Sequence, residues 1–243
     1  MIHAVTFDLW QTLIADTPEL DAMRTGYRTE NTVKLLSQTG YTIELPEVQQ
    51  AHAVIWRECA RGWEKAIDLP FKHQVSDYLE LIRPGLSGSV PAATFDAITD
   101  AYAAAALVYP PTVIAGADRV LAGIRARGCR LGLICNTGRT PGFILRQLLT
   151  GYGIMESLDV ALFSDETIVR KPDARIFAQA LQQLDARPEN SLHVGDDPVT
   201  DIAGARGAGM SAVWIRRPQC AEPQCLAAID DVSHLPGILK QVA

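Results

Sequence analysis

Acids, a lysine and a polar turn recur where short apolar runs of this chain stop. Asp8 stands near the end of the run Ala4–Leu9, followed by Leu9, Trp10, Gln11 and Thr12. Cys135, Asn136, Thr137 and Gly138 close a second run, and Arg170-Lys171-Pro172 lies a few residues beyond a third. A fourth ends at Gly195, with Asp196, Asp197 and then Asp201 beyond it. Asp8, Asp196 and Asp201, with Asp197 a candidate fourth, can hold a hard divalent ion through oxygen, as Mg²⁺ prefers beside a substrate phosphate. Lys171 supplies a point charge for a phosphate or a nucleophilic carboxylate. Asn136, Thr137 and the Gly138 backbone supply neutral donors. A carboxylate nucleophile is aspartyl-phosphate chemistry, and the set suits phosphoryl transfer, where positioning and charge neutralisation dominate. Taken singly, an Asp after a strand is often only a helix cap, and Lys-Pro is commonly a surface turn. Four such clusters at four run ends outweigh that reading.

The elements that must position these residues alternate in the second half of the chain. Ala4–Leu9, Arg130–Cys135, Leu158–Phe163, Ser191–Gly195 and Ser211–Ile215 read as buried parallel strands. Ile176, Phe177, Ala180, Leu181 and Leu184 share one helical face, Gly128 stands as a helix C-cap and Pro141 opens a helix. The expected fold is therefore α/β, a doubly wound parallel sheet, with ligands at the carboxyl ends of its strands. Residues 16–110 follow the helical period instead, with stripes such as Val48, Ala51, His52, Ile55 and Cys59, and with Pro46, Pro70 and Pro91 ahead of three of them. They read as an all-helical insertion, leaving 1–15 and 111–243 as the α/β core. His52 reads as a core histidine. Gly204-Ala205-Arg206-Gly207-Ala208-Gly209 has its glycines in the wrong order for a dinucleotide loop and follows a helix, so close packing and a helix end explain it better.

Composition excludes several classes. A length of 243 residues allows one large domain or a domain with an insertion. The net charge is 22 − 28 = −6, with no long basic run, which argues against nucleic acid. The longest apolar run, Ala101–Tyr109, is nine residues, against about 20 for a membrane span. Met1-Ile2-His3 does not open like a secretory leader. Five scattered cysteines argue against a disulfide framework, and Cys220 and Cys225 against a zinc hook. A cytoplasmic protein, a monomer or homodimer acting on a small molecule, is expected.

The four stretches Phe7–Leu13, Leu133–Gly138, Arg170–Asp173 and His193–Asp197 with Asp201, in this order, resemble the four motifs of the haloacid dehalogenase superfamily. The helical insertion sits where that family places a cap. The resemblance implies that Asp8 is the nucleophile. It implies that Asp8, the Trp10 main-chain carbonyl and Asp196 hold Mg²⁺, with Asp201 steadying the ion. Thr12 would orient the first loop, Asn136 would bind the transferring group with Cys135 and Thr137 beside it, and Lys171 would neutralise it. Three positions depart from the phosphatase pattern. Trp10 replaces the usual second Asp and cannot donate a proton, Gln11 replaces a glycine, and Cys135 replaces a Ser or Thr and is a weaker donor. The leading expectation is a Mg²⁺-dependent phosphatase working through an aspartyl phosphate on Asp8. The alternatives are a 2-haloacid dehalogenase-like hydrolase, which the aromatic Trp10 favours and the retained acids oppose, and a non-catalytic phosphate-binding protein on the same scaffold. Arg24 and Arg28 are candidates for a halide site but read better as solvated helix arginines.

Overall fold

A computed structural model describes residues 2–218 and 220–241. The expected core segments therefore begin and end outside the described residues, at Met1 and at Val242-Ala243. The main sheet holds six parallel strands in the order β5-β4-β1-β6-β7-β8. They are β1 (Ala4–Phe7), β4 (Arg130–Cys135), β5 (Val160–Phe163), β6 (Ser191–Gly195), β7 (Ser211–Ile215) and β8 (Ala227–Ile229). Every residue of β1 and β6 is buried, because helices cover both faces. Alternation along the strands divides the core. Val5, Phe7, Leu131, Leu133, Leu192 and Val194 face one layer. Ala4, Ile134, Leu162 and Trp214 face the other, against Ile176, Phe177 and Ala180 of α9 (Ala174–Gln183). The α/β expectation holds, with β1 inside the sheet. The sequence reading did not foresee β8, and the first and third expected strands are shorter, ending at Phe7 and starting at Val160.

A two-residue antiparallel ribbon pairs β2 (Ile14–Ala15) with β3 (Thr112–Val113), in register Ile14↔Val113 and Ala15↔Thr112. It brings together the two ends of a wholly helical stretch. That stretch comprises α1 (Pro18–Ser37), α2 (Leu45–Trp63), α3 (Phe71–Ile82), α4 (Leu86–Ser89) and α5 (Ala92–Val108). Thr17 caps α1 by accepting from Leu20 N, and Pro46 lies in the first turn of α2, where a missing N–H costs nothing. Pro70 and Pro91 are the N-cap residues of α3 and α5. His52 is 2% exposed, with its ring against Tyr78 and Tyr102.

Among the remaining helices, α6 (Ala117–Arg125), α7 (Gly142–Gly151), α8 (Ser164–Thr167) and α10 (Gly204–Gly207) lie between strands, and α11 (Leu235–Gln241) follows β8. A Cβ at Gly204 would lie 2.9 Å from Phe177 and from the Pro172 backbone, and Gly209 has φ +82 just past α10. The glycine run is thus a packing contact and a helix end. The five cysteines are free, and Cys220 is exposed. No helix among the described residues is long and apolar enough to cross a membrane.

Candidate active site

The site is built at the carboxyl ends of neighbouring strands. β1 delivers Asp8, whose N–H donates to Val194 O at 2.9 Å. Lys171 reaches over from the loop before α9, and its Nζ lies 2.6 Å from Asp8 Oδ1 and 2.7 Å from Asp201 Oδ1. Lys171 and Asp201 are both 1% exposed and Asp8 is 7%. Burial penalises a lone charge severely, so a lysine wedged between two carboxylates stabilises all three groups. Burial pushes the Asp8 carboxyl up to about 7, opposed by Lys171. For Asp201 burial also opposes ionisation, but Lys171 and the His193 hydrogen bond hold it well below the usual carboxylate range. Lys171 stays firmly charged because Asp201 and Asp8 outweigh its burial.

Asp201 is positioned by the strand it faces. A Cβ at Gly195 would fall 2.3 Å from Asp201 Cγ, so only glycine admits the carboxylate there. Asp201 Oδ2 accepts from Asp197 N at 2.9 Å. His193 Nε2 lies 3.4 Å from Asp201 Oδ1 and Nδ1 lies 2.8 Å from Thr6 Oγ1. A carboxylate cannot donate, so the neutral ring donates from Nε2 and accepts the Thr6 hydroxyl at Nδ1. Burial lowers the His193 pKa and keeps the ring neutral.

Asp196 Oδ2 accepts from Arg217 Nε at 3.0 Å, and Arg217 also donates to Gln11 O. Asp8, Asp196 and Asp201 bring one carboxylate oxygen each within 4.8 Å of one another. Three acids face two cations, Lys171 and Arg217. Asp8 Oδ2 and Asp196 Oδ1 accept from no protein donor among the described residues. An all-oxygen cluster with this negative surplus fits a hard cation. Asp197 is not part of it: its side chain caps the turn Pro198–Ala203 by accepting from Val199 N and Thr200 N.

The polar turn after β4 is arranged differently from the expectation. The Asn136 amide donates to Lys171 O at 2.9 Å and accepts from Lys171 N at 2.8 Å. It therefore holds the lysine backbone and retains one N–H for a ligand. The Thr137 hydroxyl is occupied inside the protein, 3.1 Å from Ser164 Oγ and accepting from Asp165 N at 3.1 Å. Thr12 is wholly buried, and its hydroxyl has no protein partner among the described residues. Cys135 is also wholly buried, and desolvation raises its thiol pKa, so it is a neutral packing group next to Asp8 and Lys171. Gln11 takes φ 60, the left-handed conformation for which glycine would be the easier residue.

A cavity of about 440 Å³ adjoins these residues, walled by Trp10, Asn136 and Thr137 from the sheet side and by Arg24, Arg28 and Trp56 from the helical side. Arg24 and Arg28 are 2% and 1% exposed, which corrects their reading as solvated. Their helix packs against α5; Arg24 is held by Asp16 and Tyr109 O, and Arg28 donates from Nε to Tyr102 O.

Sequence reasoning also missed Asp68, 1% exposed. Its Oδ2 accepts from Arg170 Nη1 at 2.9 Å, Ser164 Oγ at 2.5 Å and Thr137 Oγ1 at 3.4 Å. Its Oδ1 accepts from Trp63 Nε1 at 3.2 Å and Leu69 N at 3.0 Å. Backbone bonds Asp68 N to Ile168 O (3.1 Å) and Arg170 N to Ala66 O (3.2 Å) run beside it. This fastens the helical segment to the chain directly before Lys171.

The comparisons agree on the fold and the family. The description "haloacid dehalogenase-like hydrolase" matches residues 2–209. The chain is 32% identical over 126 residues to "Haloacid dehalogenase-like hydrolase domain-containing protein 3" of Bos taurus, covering 52% of this chain and 49% of that protein. It is 40% identical over 101 residues to "Phosphoserine phosphatase" of Thermus thermophilus, covering 42% and 39%. The matched stretch thus spans about half or less of these curated relatives. Among solved structures, a 2-haloacid dehalogenase from Pseudomonas syringae superposes with TM-score 0.70 at 24% identity, covering 100% of both chains. A HAD phosphatase from Thermococcus onnurineus gives 0.62 at 22%, covering 98% of each. These two likenesses speak for the fold. With the ordered motifs, the parallel sheet and the family match over most of its length, the chain belongs to the haloacid dehalogenase-like hydrolases.

Proposed function

We propose that this hydrolase is a phosphatase of small phosphorylated metabolites, working through an aspartyl phosphate on Asp8. The observation that carries this reading is the buried Asp8–Lys171–Asp201 arrangement, with Asp196 within 4.8 Å of both acids. Lys171 fixes the Asp8 carboxylate and favours its charged form, and Asn136 fixes Lys171. The carboxylate attacks phosphorus, a P–O bond forms, and the bond from phosphorus to the leaving oxygen breaks. Water then attacks the acyl phosphate, releasing phosphate and restoring Asp8. Trp10 replaces the proton donor of the resembling family, so the leaving oxygen draws its proton from the substrate or solvent. The carboxylates of Asp8 and Asp196 and the Trp10 carbonyl would hold Mg²⁺, with Asp201 behind them. When bound, the ion neutralises charge on the transferring phosphoryl group. Residues 16–110 act as a cap that excludes water and selects the substrate, over a core of 1–15 and 111–243. Relatives named phosphoserine, glyceraldehyde 3-phosphate and phosphoglycolate phosphatase support this reaction class. We also propose a cytoplasmic monomer or homodimer.

One observation favours a second reading. Trp10 lines the cavity where an acid would be expected, and a dehalogenase-like displacement of halide by Asp8 needs no proton donor. The test is a panel of phosphorylated metabolites with Mg²⁺ or EDTA, run beside halide release from 2-haloacids. Phosphate release that EDTA abolishes supports the proposal. Halide release without phosphate release refutes it in favour of the dehalogenase, and neither product points to a non-catalytic scaffold.

A further inference from the structure

The charges around the cavity beside Asp8 do not balance. Four guanidinium groups line it: Arg24, Arg28, Arg139 and Arg170. Arg24 pairs with Asp16, and Arg170 pairs with Asp68 at 2.9 Å. Arg139 reaches Asp21 only at 3.4 Å, and that acid is 54% exposed. The Arg139 guanidinium lies 4.2 Å above the Trp56 ring, and its Nε is buried with no acceptor. Arg28 has no ion pair among the described residues. Its Nε donates to Tyr102 O at 3.0 Å, and its Nη2 faces Arg139 O at 3.2 Å and Thr140 Oγ1 at 3.3 Å. Its Nη1 has no protein acceptor among the described residues, and the residue is 1% exposed.

A buried cation with only neutral acceptors is costly, and it is retained where something else supplies the counter-charge. The surplus here amounts to one positive charge, at two guanidinium groups joined through the Arg139 carbonyl. A planar two-oxygen anion matches the guanidinium fork. One carboxylate balances the surplus, whereas a second phosphate would exceed it. Trp10 and Trp56 supply apolar walls for a carbon skeleton between the two charged ends.

We propose that Arg28 and Arg139 form a carboxylate subsite, so that the substrate is a small organic acid carrying its phosphoryl group at the Asp8 end. This rests on the phosphatase reading. Arg139 contacts the carboxylate, and Arg28 holds the Arg139 backbone and supplies the buried charge.

The experiment compares 3-carboxyphenyl phosphate with its methyl ester on the wild-type protein with Mg²⁺. It also titrates the products, 3-hydroxybenzoate and its methyl ester, into the protein by calorimetry. The methyl ester has the more acidic leaving group, so intrinsic reactivity opposes the expected preference. A charge-assisted contact predicts a kcat/KM about 10- to 100-fold higher for the carboxylate, and binding of 3-hydroxybenzoate but not of its ester. Arg28→Met should collapse that ratio, and Arg28→Lys should restore part of it. Equal kcat/KM for the two phosphates, with no selective binding of 3-hydroxybenzoate, overturns the subsite while leaving the phosphatase reading in place. If neither phosphate is hydrolysed, that reading fails and product binding alone decides the subsite. The wild-type comparison needs no variant, so an Arg28 replacement that fails to fold does not weaken the test.

Discussion

Asp68→Ala should be among the most destabilising single changes in the chain. The carboxylate is 1% exposed and accepts from five donors: Arg170, Ser164, Thr137, Trp63 and Leu69 N. Alanine leaves Arg170, itself 8% exposed, as a buried cation without its counter-charge. Breaking one half of a buried pair costs about 3–5 kcal/mol. Asp68→Asn keeps the volume and the Oδ1 acceptor but turns an amide toward Arg170. The hydroxyls of Ser164 and Thr137 can rotate to accept from it, while the guanidinium cannot. The cost should then be about 1.5–3 kcal/mol, one charge-assisted hydrogen bond. Replacing both partners, Asp68→Leu with Arg170→Met, removes both buried charges and should destabilise less than the sum of the single changes. Urea unfolding followed by circular dichroism measures the wild type, Asp68→Ala, Asp68→Asn, Asp68→Leu, Arg170→Met and the double variant. An Asp68→Ala cost below about 1 kcal/mol would refute the reasoning, as would single-variant effects that add within about 0.5 kcal/mol. The fastening would then be a contact without energetic weight.

Other predictions follow from the same geometry. Asp196→Ala should weaken Mg²⁺ binding far more than Asp197→Ala, because Asp197 is spent on capping; calorimetric titration with equal losses would contradict this. Without a proton donor at Trp10, rates should depend steeply on leaving-group pKa, with aryl and acyl phosphates far ahead of alkyl phosphates where the first step limits. Trp10→Asp should raise alkyl rates by up to about 10²–10⁴-fold, once its stability is checked, and equal wild-type rates for both classes would locate the proton donor elsewhere. Burial, then Arg139 and Arg28, push His52 down from 6.5 to about 3. The unfolded chain binds this proton below pH 6.5 and the folded one does not until about pH 3. Stability should therefore fall with pH in that window, by up to about 1.4 kcal/mol per unit. His52→Phe should flatten the slope relative to wild type, and unchanged slopes in pH-dependent unfolding would contradict the assignment.

Much of the site was legible because its parts are local. A nucleophile after a buried strand, a polar turn and a Gly-Asp-Asp run each leave a short pattern, and a parallel sheet must carry them to one edge. What sequence did not show depends on contacts between distant segments. Asp68 meets Ser164 and Arg170 across about a hundred residues, with no spacing to betray it. Thr137 looked like a phosphate donor, but its hydroxyl is claimed by Ser164 and Asp165. Arg24 and Arg28 lie one turn apart on a helix rich in polar residues, which reads as a wet face. Their burial comes from packing against α5 and the 139–140 turn. The edge strand β8 and the two-residue ribbon are too short to carry a pattern of alternation.

The central claim, that Asp8 is the nucleophile, is tested most directly by trapping its product. A single turnover of an aryl phosphate with Mg²⁺, quenched in acid and followed by peptide mass mapping, should place one phosphoryl group on the peptide containing Asp8. Asp8→Asn, folded by circular dichroism and free of deamidation, should show neither the modification nor phosphate release. Phosphate formed with no modified peptide at any quench time, or turnover that survives in Asp8→Asn, would contradict the account.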